Sequence, residues 1–512
     1  MSIIQNTEIV VQEILNLYNH YLHNNLFPYW LVSHIYDNDY IININIENNT
    51  KIKLKENTSE HKFENEFLFS DDTKIIQKCK KYLEQINQIE DITFKYNSIM
   101  SILNNKNDII WQDSFHNNKN NEIKKNETND HLSHKLTNVF QKNYLNILII
   151  GAGPCGLYFA NVLKHIYGDK VIILIIDNRI SSNGYKEPYS RQWLTNLPLN
   201  IFQGFNNIKN ILEGLGENNY MGCTLNIFEL LLYLSCRSNN IKFLFKRDYN
   251  LDFVANNTIS FVFDATGNRL STPKHDIINN NATDPNIKII DNIFNNMDLM
   301  NITHYMNNYI PKVDKNNIKI QNKNTVISPL YKNNATSWYI LKITNIPIQY
   351  KKNIEDLIKI LNINDNKFFY WKGHLKESIN KSLIFINLTQ NEGQLFSQMI
   401  DEYHIIQNNK LNYIPINSIK MSGFYNKISP KITSLINYLL YIFPNNNILI
   451  ERPFLFKLYF QLNPLTQISG RQLIKIGDSV FNGDAKLGNG LGSHIKIINS
   501  ICNIFEKNTK YI

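Results

Sequence analysis

The sequence predicts an α/β chain: a parallel-sheet domain built from separated segments, an inserted β-sheet-containing unit, and an extra α+β region at the N-terminus. Three observations predict it. A short apolar strand runs into a glycine-rich turn and an apolar helix over residues 146–165. A second apolar strand, 171–176, ends in an acid, Asp177. Two further strand ends, 261–267 and 473–478, carry glycine turns, the last one after a long strand-rich stretch. Motifs at both ends of a long middle section are what one domain interrupted by another leaves in a sequence.

Bulk properties bound the reading. The 512 residues allow two or three domains with a sizeable core, and 43% hydrophobic with 12% aromatic content describes a globular chain. No apolar run reaches the roughly 18 residues of a membrane span. Residues 1–12 lack the basic-then-apolar order of a secretory signal. Cys79, Cys155, Cys223, Cys236 and Cys502 are odd in number and form no CxxC pair, which points to reduced thiols and a cytoplasmic location. The net charge of +9 is spread through a chain rich in Asn and Ile. With no basic block interleaved with aromatics, a nucleic-acid partner is not expected.

In chain order, residues 1–115 form a region of unread role, with a helix over Glu8–Leu22 and strand-like alternation over Tyr40–Lys55. This region reads as independent of the rest of the chain. Residues 116–140 are a polar linker. Residues 141–270 and 466–512 supply the two parts of the parallel-sheet domain, and 271–465 the inserted unit that would carry a substrate. Strand-like runs in that insert are Ser337–Thr344, Leu383–Leu388 and Phe454–Leu462.

Residues 146–156 read NILIIGAGPCG. Ile147–Ile150 has the continuous apolar texture of a strand covered on both faces. Gly151, Gly153 and Gly156 then make GxGxxG, with Pro154 and Cys155 inside it. The first glycine permits a tight turn, the second lets a pyrophosphate approach the backbone, and the third lets the helix lie close to the strand. The helix from Leu157 to His165 points its amide end and positive dipole at that phosphate. Asp177 stands where a Rossmann-type unit places the carboxylate that binds ribose hydroxyls. The plain alternative is a glycine turn of an unrelated α/β protein, with Asp177 a cap.

The C-terminal part separates FAD from NAD. LIKIGD (473–478) reads as another strand ending in Gly-Asp, and LGNGLGSHI (487–495) as a glycine-opened helix. A helix N-terminus stabilises the negative charge of a reduced flavin, and Gly488, Gly490 and Gly492 let backbone lie against a flat ring. FVFDATG (261–267) reads as a third strand end beside the cofactor.

The segments GAGPCGL, DNR (177–179), SRQW (190–193), DATG and IGDS with LGNGLG resemble the FAD-dependent aromatic hydroxylases, whose type member is p-hydroxybenzoate hydroxylase. The GAGPCGL heptad is similar to the monooxygenase domain of the MICAL proteins. The resemblance implies that Gly151, Gly153, Pro154, Cys155 and Gly156 meet the FAD pyrophosphate. Asp177, with Asn178 beside it, would hold ribose, and Arg179 would lie by the adenosine. Arg191, with Gln192, would fold over the FAD. Gly267 would supply a second contact loop, Asp478 the ribityl-side acid, and Gly490, Leu491 and Gly492 the isoalloxazine contact.

It further implies that NAD(P)H transiently reduces the flavin and that molecular oxygen then forms a flavin hydroperoxide, which hydroxylates an unknown small-molecule or protein substrate. This class needs no second nucleotide-binding domain, and no other strand-GxGxxG-helix unit is found, an absence that fits an oxidase as well. The chain departs from the class in lacking a proline after Gly-Asp and in reading DATG for the usual Gly-Ala-Asp-Gly. A reductase, dehydrogenase or oxidase of the same fold, or a non-catalytic flavin-binding module, therefore stays open. A disulfide reductase is disfavoured for want of a cysteine pair, and a halogenase for want of a tryptophan-pair motif.

Trp193, Trp338, Tyr339 and Trp371 are candidates for an aromatic lining, with core packing the plainer role for each. His494 is either near the flavin or, as the safer reading, on a helix surface. Cys155 reads as a packing residue. No catalytic side chain and no metal ligand is nominated.

Overall fold

The computed structural model describes residues 7–21, 50–51, 72–106, 139–177, most of 188–267, 287–289, 319–322, 325–327, most of 337–480, and 490–508. The main elements run in chain order as α1 (Thr7–Tyr21), β1 (Thr50–Lys51), α2 (Asp72–Gln88), α3 (Ile92–Asn104), β2 (Leu145–Ile150), α4 (Pro154–Tyr167), β3 (Val171–Asp177) and α5 (Asn206–Leu215). Then come α6 (Leu225–Ser238), β4 (Lys242–Phe245), β5 (Phe261–Asp264), β6 (Ser337–Pro347), α7 (Lys351–Leu361), β7 (Phe368–Trp371), β8 (Lys381–Leu388) and α8 (Gln390–Ile406). The last group is β9 (Tyr413–Pro415), α9 (Pro430–Ile442), β10 (Leu449–Glu451), β11 (Phe454–Lys457), β12 (Leu465–Ile468), β13 (Arg471–Lys475) and α10 (Gly490–Lys507).

Two sheets organise the chain. The first is seven-stranded in the order β1-β12-β13-β5-β2-β3-β4. From β13 to β4 every pairing is parallel, while β12 runs antiparallel to β13. Strand β2 is buried along its whole length, which is why LNILII shows no alternation. Its Ile147 and Ile149 join one core with α4, α6 and α10, and its Leu148 and Ile150 join another with Leu174, Ile176 and Val262. The chain steps from β2 outward to β3 and β4, then returns to β5 on the other side of β2. That reversal is a topological switch point, where loops diverge and a crevice opens beyond the strands' carboxyl ends.

The second sheet is antiparallel, in the order β7-β8-β6-β10-β9, with β11 also paired to β6. One of its faces carries Leu341, Ile343, Ile384 and Ile386, which form a core with α7, α8 and α9. The other carries Ile340, Leu383 and Phe385, joined by Phe369, Trp371, Phe454 and, from the far part of the chain, Trp193. The mixed α/β class, with a parallel sheet made of separated segments and an antiparallel sheet between them, is the class expected.

The N-terminal helices do not stand apart. Val10, Ile14, Tyr18, Cys79, Leu83, Ile99 and Leu103 belong to the same core as α4, α6 and α10. Helix α1 packs on α10, and α2 and α3 pack on α6. The sequence suggests independence because the polar stretch near residue 120 looks like a boundary, whereas the apolar stripes of these helices are spent on the parallel-sheet unit. Of the expected strand region at 40–55 only Thr50–Lys51 is described, and it pairs with β12. Most of the expected linker lies outside the described residues. Among the described residues no helix is long and apolar enough to cross a membrane.

Candidate functional site

The first loop follows β2, and its glycines differ in what surrounds them. Gly151 has φ +113°, and a Cβ there would sit 2.5 Å from the Ala265 carbonyl oxygen. A Cβ on Gly156 would collide with the Gly151 carbonyl and lie 3.1 Å from Ala265 Cβ. At Gly153, by contrast, nothing lies within 4 Å of the Cβ position. Two glycines are thus demanded by the protein itself, and the middle one borders open space. Gly153 is the N-cap of α4 and Pro154 occupies its first turn, where a missing N–H costs no helix bond. The leading amides of this helix have no intrahelical acceptors, so an anion at this end would be held by backbone.

Asp177 ends β3 and is buried, with its Oδ2 accepting the Ala152 amide at 2.6 Å. One carboxylate oxygen therefore fixes the glycine turn. Asn178, Arg179 and Gln192 lie outside the described residues.

The second and third loops meet the first. Strands β5 and β13 are register neighbours at Asp264 and Lys475, both fully buried. Asp264 Oδ1 accepts from the Thr266 amide at 2.8 Å, the Thr266 hydroxyl at 2.7 Å and the Ser479 hydroxyl at 2.9 Å. Ser479 Oγ in turn accepts the Gly267 amide at 3.0 Å. One carboxylate oxygen thus ties the DATG loop to the Gly-Asp-Ser turn. Burial holds the Asp264 carboxyl above its ordinary value, opposed by these hydrogen bonds and by the Lys475 charge. A Cβ on Gly477, at φ +63°, would lie 2.7 Å from Cys155 Sγ, so the third loop rests directly on the first. A Cβ on Gly267 would lie 3.6 Å from Asp478 Cβ.

Burial pushes the Cys155 thiol well above its ordinary value, Asp478 and Glu229 add to the rise, and Arg191 opposes it. Cys155 is therefore a neutral packing thiol, as its position in the turn suggests. Arg191 Nη2 lies 2.6 Å from Oε1 of Glu229, which is fully buried on α6. His494 is not on a helix surface: it is 2% exposed, and its Nε2 is 2.9 Å from Oδ1 of half-exposed Asp478. The surface reading failed because helical spacing does not reveal that the first turns of α10 face the β13 loop. Gly490 begins α10, Leu491 packs against the main core, and Gly492 is buried.

Of the aromatic candidates, Trp193 and Trp371 lie on the outer face of the antiparallel sheet with Phe385. Tyr339 faces the opposite core, where a Cβ on Gly393 would collide with its ring, so it lines nothing. The backbone of Trp338 stands in register with that of Phe456.

No protein-family model matches the chain, and no curated protein sequence matches it. Solved structures do. The flavin-dependent halogenase CmlS matches at 10% identity over 72% of this chain and 60% of that one, with a TM-score of 0.35. Aklavinone-11 hydroxylase, in a complex with FAD and aklavinone, matches at 9% identity over 69% and 61%, with a TM-score of 0.31. A 2-methyl-3-hydroxypyridine-5-carboxylic acid oxygenase matches at 8% identity over 69% and 80%, with a TM-score of 0.33. This chain thus spans about three fifths of the first two.

Sequence reasoning does not single out Asp264, Lys475, Ser479 or Glu229. Two of them leave a signal: a lysine in the otherwise apolar strand LIKI, and a lone acid in the apolar helix NIFELLL. Asp264 opens the DATG turn, in which only Gly267 stands as an expected site residue.

Proposed function

We propose that the chain is an FAD-dependent oxidoreductase, and that its reaction is an NAD(P)H-dependent monooxygenation. The observation that carries this reading is the meeting of three glycine-bearing strand ends at one crevice, with open space at Gly153. In this reading the amides at the start of α4 hold the pyrophosphate, and Asp177 borders the adenosine ribose. Asn178 and Arg179 follow Asp177 and would border the adenosine. Arg191 and Gln192 approach the phosphates, and Asp478 accepts from ribityl hydroxyls with His494 fixing its other side. Gly490, Leu491 and Gly492 bring the positive end of α10 to the ring, where it favours electron-rich flavin.

When bound, flavin supplies hydride acceptance from nicotinamide and activation of oxygen. The protein contributes position and dryness. Phe369, Trp371 and Phe385 on the outer face of the antiparallel sheet make an apolar wall for the substrate, from which water is excluded. The likeness of GAGPCGL to the MICAL monooxygenase domains favours oxygen insertion, and the scattered cysteines favour a cytoplasmic setting. A reductase, dehydrogenase or oxidase of the same architecture is the second reading, with DATG and the missing proline after Gly-Asp fitting a reductase or dehydrogenase.

Nicotinamide oxidation by flavin-loaded protein, followed with and without oxygen, separates them. Monooxygenation predicts rapid flavin reduction by NADH or NADPH and oxygen-dependent turnover that a substrate accelerates. Flavin that neither nicotinamide reduces overturns the assigned reaction, though not the cofactor.

A further inference from the structure

Arg191, Trp193 and Thr195 are each held by the start of α6 or the residues just before it. The Arg191 carbonyl accepts the Asn226 amide at 2.9 Å, and the Trp193 carbonyl accepts the Leu225 amide at 2.6 Å. These are first-turn amides of α6, which have no acceptors within the helix. The Thr195 hydroxyl donates to the Cys223 carbonyl at 2.9 Å. On the same helix, buried Glu229 takes the Arg191 guanidinium. These three residues are therefore tied to the parallel-sheet unit.

The side chains of Arg191 and Trp193 go to different places. Arg191 is 42% exposed beside the glycine turn, where its charge bears on Cys155. Two residues on, the Trp193 ring lies 5.7 Å from Phe385 and 5.2 Å from Phe454 on the antiparallel sheet. The ammonium of buried Lys342, itself paired with Glu451, stands 4.9 Å from the Trp193 ring centre. A ring clamped by two aromatics and a desolvated cation is a strong attachment for one side chain.

We propose that Trp193 is the positioning residue that seats the aromatic face of the antiparallel sheet against the cofactor end of the parallel sheet. Through it, engagement of Arg191 by a dinucleotide phosphate is coupled to the seating of Phe385 and Phe454. The coupling rests on the proposed binding of FAD. It makes Trp193 a strut rather than part of a substrate lining, and it sets the spacing between a bound flavin and the wall opposite.

The test is amide hydrogen exchange of the full-length protein, stripped of flavin and then titrated with FAD. Trp193→Ala and Trp193→Phe are compared with the unsubstituted chain. Without flavin, Trp193→Ala should speed exchange across 381–388 and 454–457 about tenfold, as the loss of two ring pairs would give, while Trp193→Phe restores most of the protection. FAD should slow exchange in those strands in the unsubstituted protein and in Trp193→Phe, but not in Trp193→Ala, although Trp193→Ala binds FAD with a Kd changed less than about threefold. Equal slowing by FAD in Trp193→Ala overturns the coupling, and unchanged exchange in flavin-free Trp193→Ala overturns the strut. If Trp193→Ala does not fold, the ring's role is read from Trp193→Phe, where exchange slower than or equal to the unsubstituted protein supports it and a tenfold rise opposes it. Failure of the unsubstituted chain to bind FAD overturns the flavin reading and the coupling together, and the flavin-free comparison still reports on the strut.

Discussion

The two sheets meet with unlike surfaces. The parallel sheet ends in backbone and short polar groups: glycines at 151, 153, 267 and 477, and the hydroxyls of Thr266 and Ser479 gathered on Asp264. The antiparallel sheet presents rings: Phe369, Trp371, Phe385 and Phe454. Backbone recognition depends on positive φ and on room for a ligand, so a single added Cβ can abolish it. A ring-lined wall depends on area and tolerates changes of shape. Under the proposed function, the cofactor's identity would be written in loop geometry and the substrate's in packing.

Six substitutions at five positions can break or sharpen that contrast. The largest expected effect is Gly156→Ala, whose Cβ meets the Gly151 carbonyl. It should cost about 3 kcal/mol, the upper range for overpacking, read as a shift in denaturant midpoint. Asp264→Ala comes next, at about 2 kcal/mol, because it strands the Thr266 and Ser479 donors. Asp264→Asn keeps the acceptor and should cost less. Burial raises the Asp264 carboxyl, so the folded protein takes up this proton more readily than the unfolded chain. Stability should therefore fall as pH rises from the ordinary carboxylate value through the raised one, and Asp264→Asn should flatten that slope.

On the antiparallel side, Thr389→Ala removes the cap of α8, whose capping box pairs Thr389 with Glu392. It should cost about 1 kcal/mol and leave FAD binding unchanged. Burial alone would raise the Glu392 carboxyl, but Lys367 at 2.7 Å and the Thr389 amide hold it below its ordinary value. The stability it contributes is present above the unfolded carboxylate pKa and is lost as pH falls through the lowered folded value, a fall that Glu392→Gln should remove in thermal melts. The smallest stability change, under about 1 kcal/mol, belongs to Gly153→Ala, whose Cβ meets nothing. Its effect should appear instead as a loss of FAD affinity of about tenfold or more, measured by flavin fluorescence titration.

The parallel unit was legible because its constraints are local. A strand, a turn and a helix occupy consecutive residues, and Gly151, Gly153 and Gly156 differ in role by position within one turn. What escaped was set by distant partners. Glu229 matters because Arg191 folds onto it, Asp264 because Ser479 arrives from 215 positions away, and His494 because α10 turns that ring toward Asp478. Of the N-terminal helices only α1 was readable as a helix, α2 and α3 were not singled out, and the docking of all three on α6 and α10 was not legible, since an apolar stripe does not name the surface that covers it. Likewise, alternation in β6 does not say which face meets α8, and so it left Tyr339 among the lining candidates.

The claim at the centre is that one extended dinucleotide bridges the Gly153 turn and the Asp478 turn. The most direct measurement is FAD stoichiometry and affinity for the unsubstituted protein beside Gly153→Ala and Asp478→Ala. One FAD per chain is expected, with weaker binding when either end is altered. Absence of FAD binding, or Asp478→Ala binding as tightly as the unsubstituted protein, would contradict it.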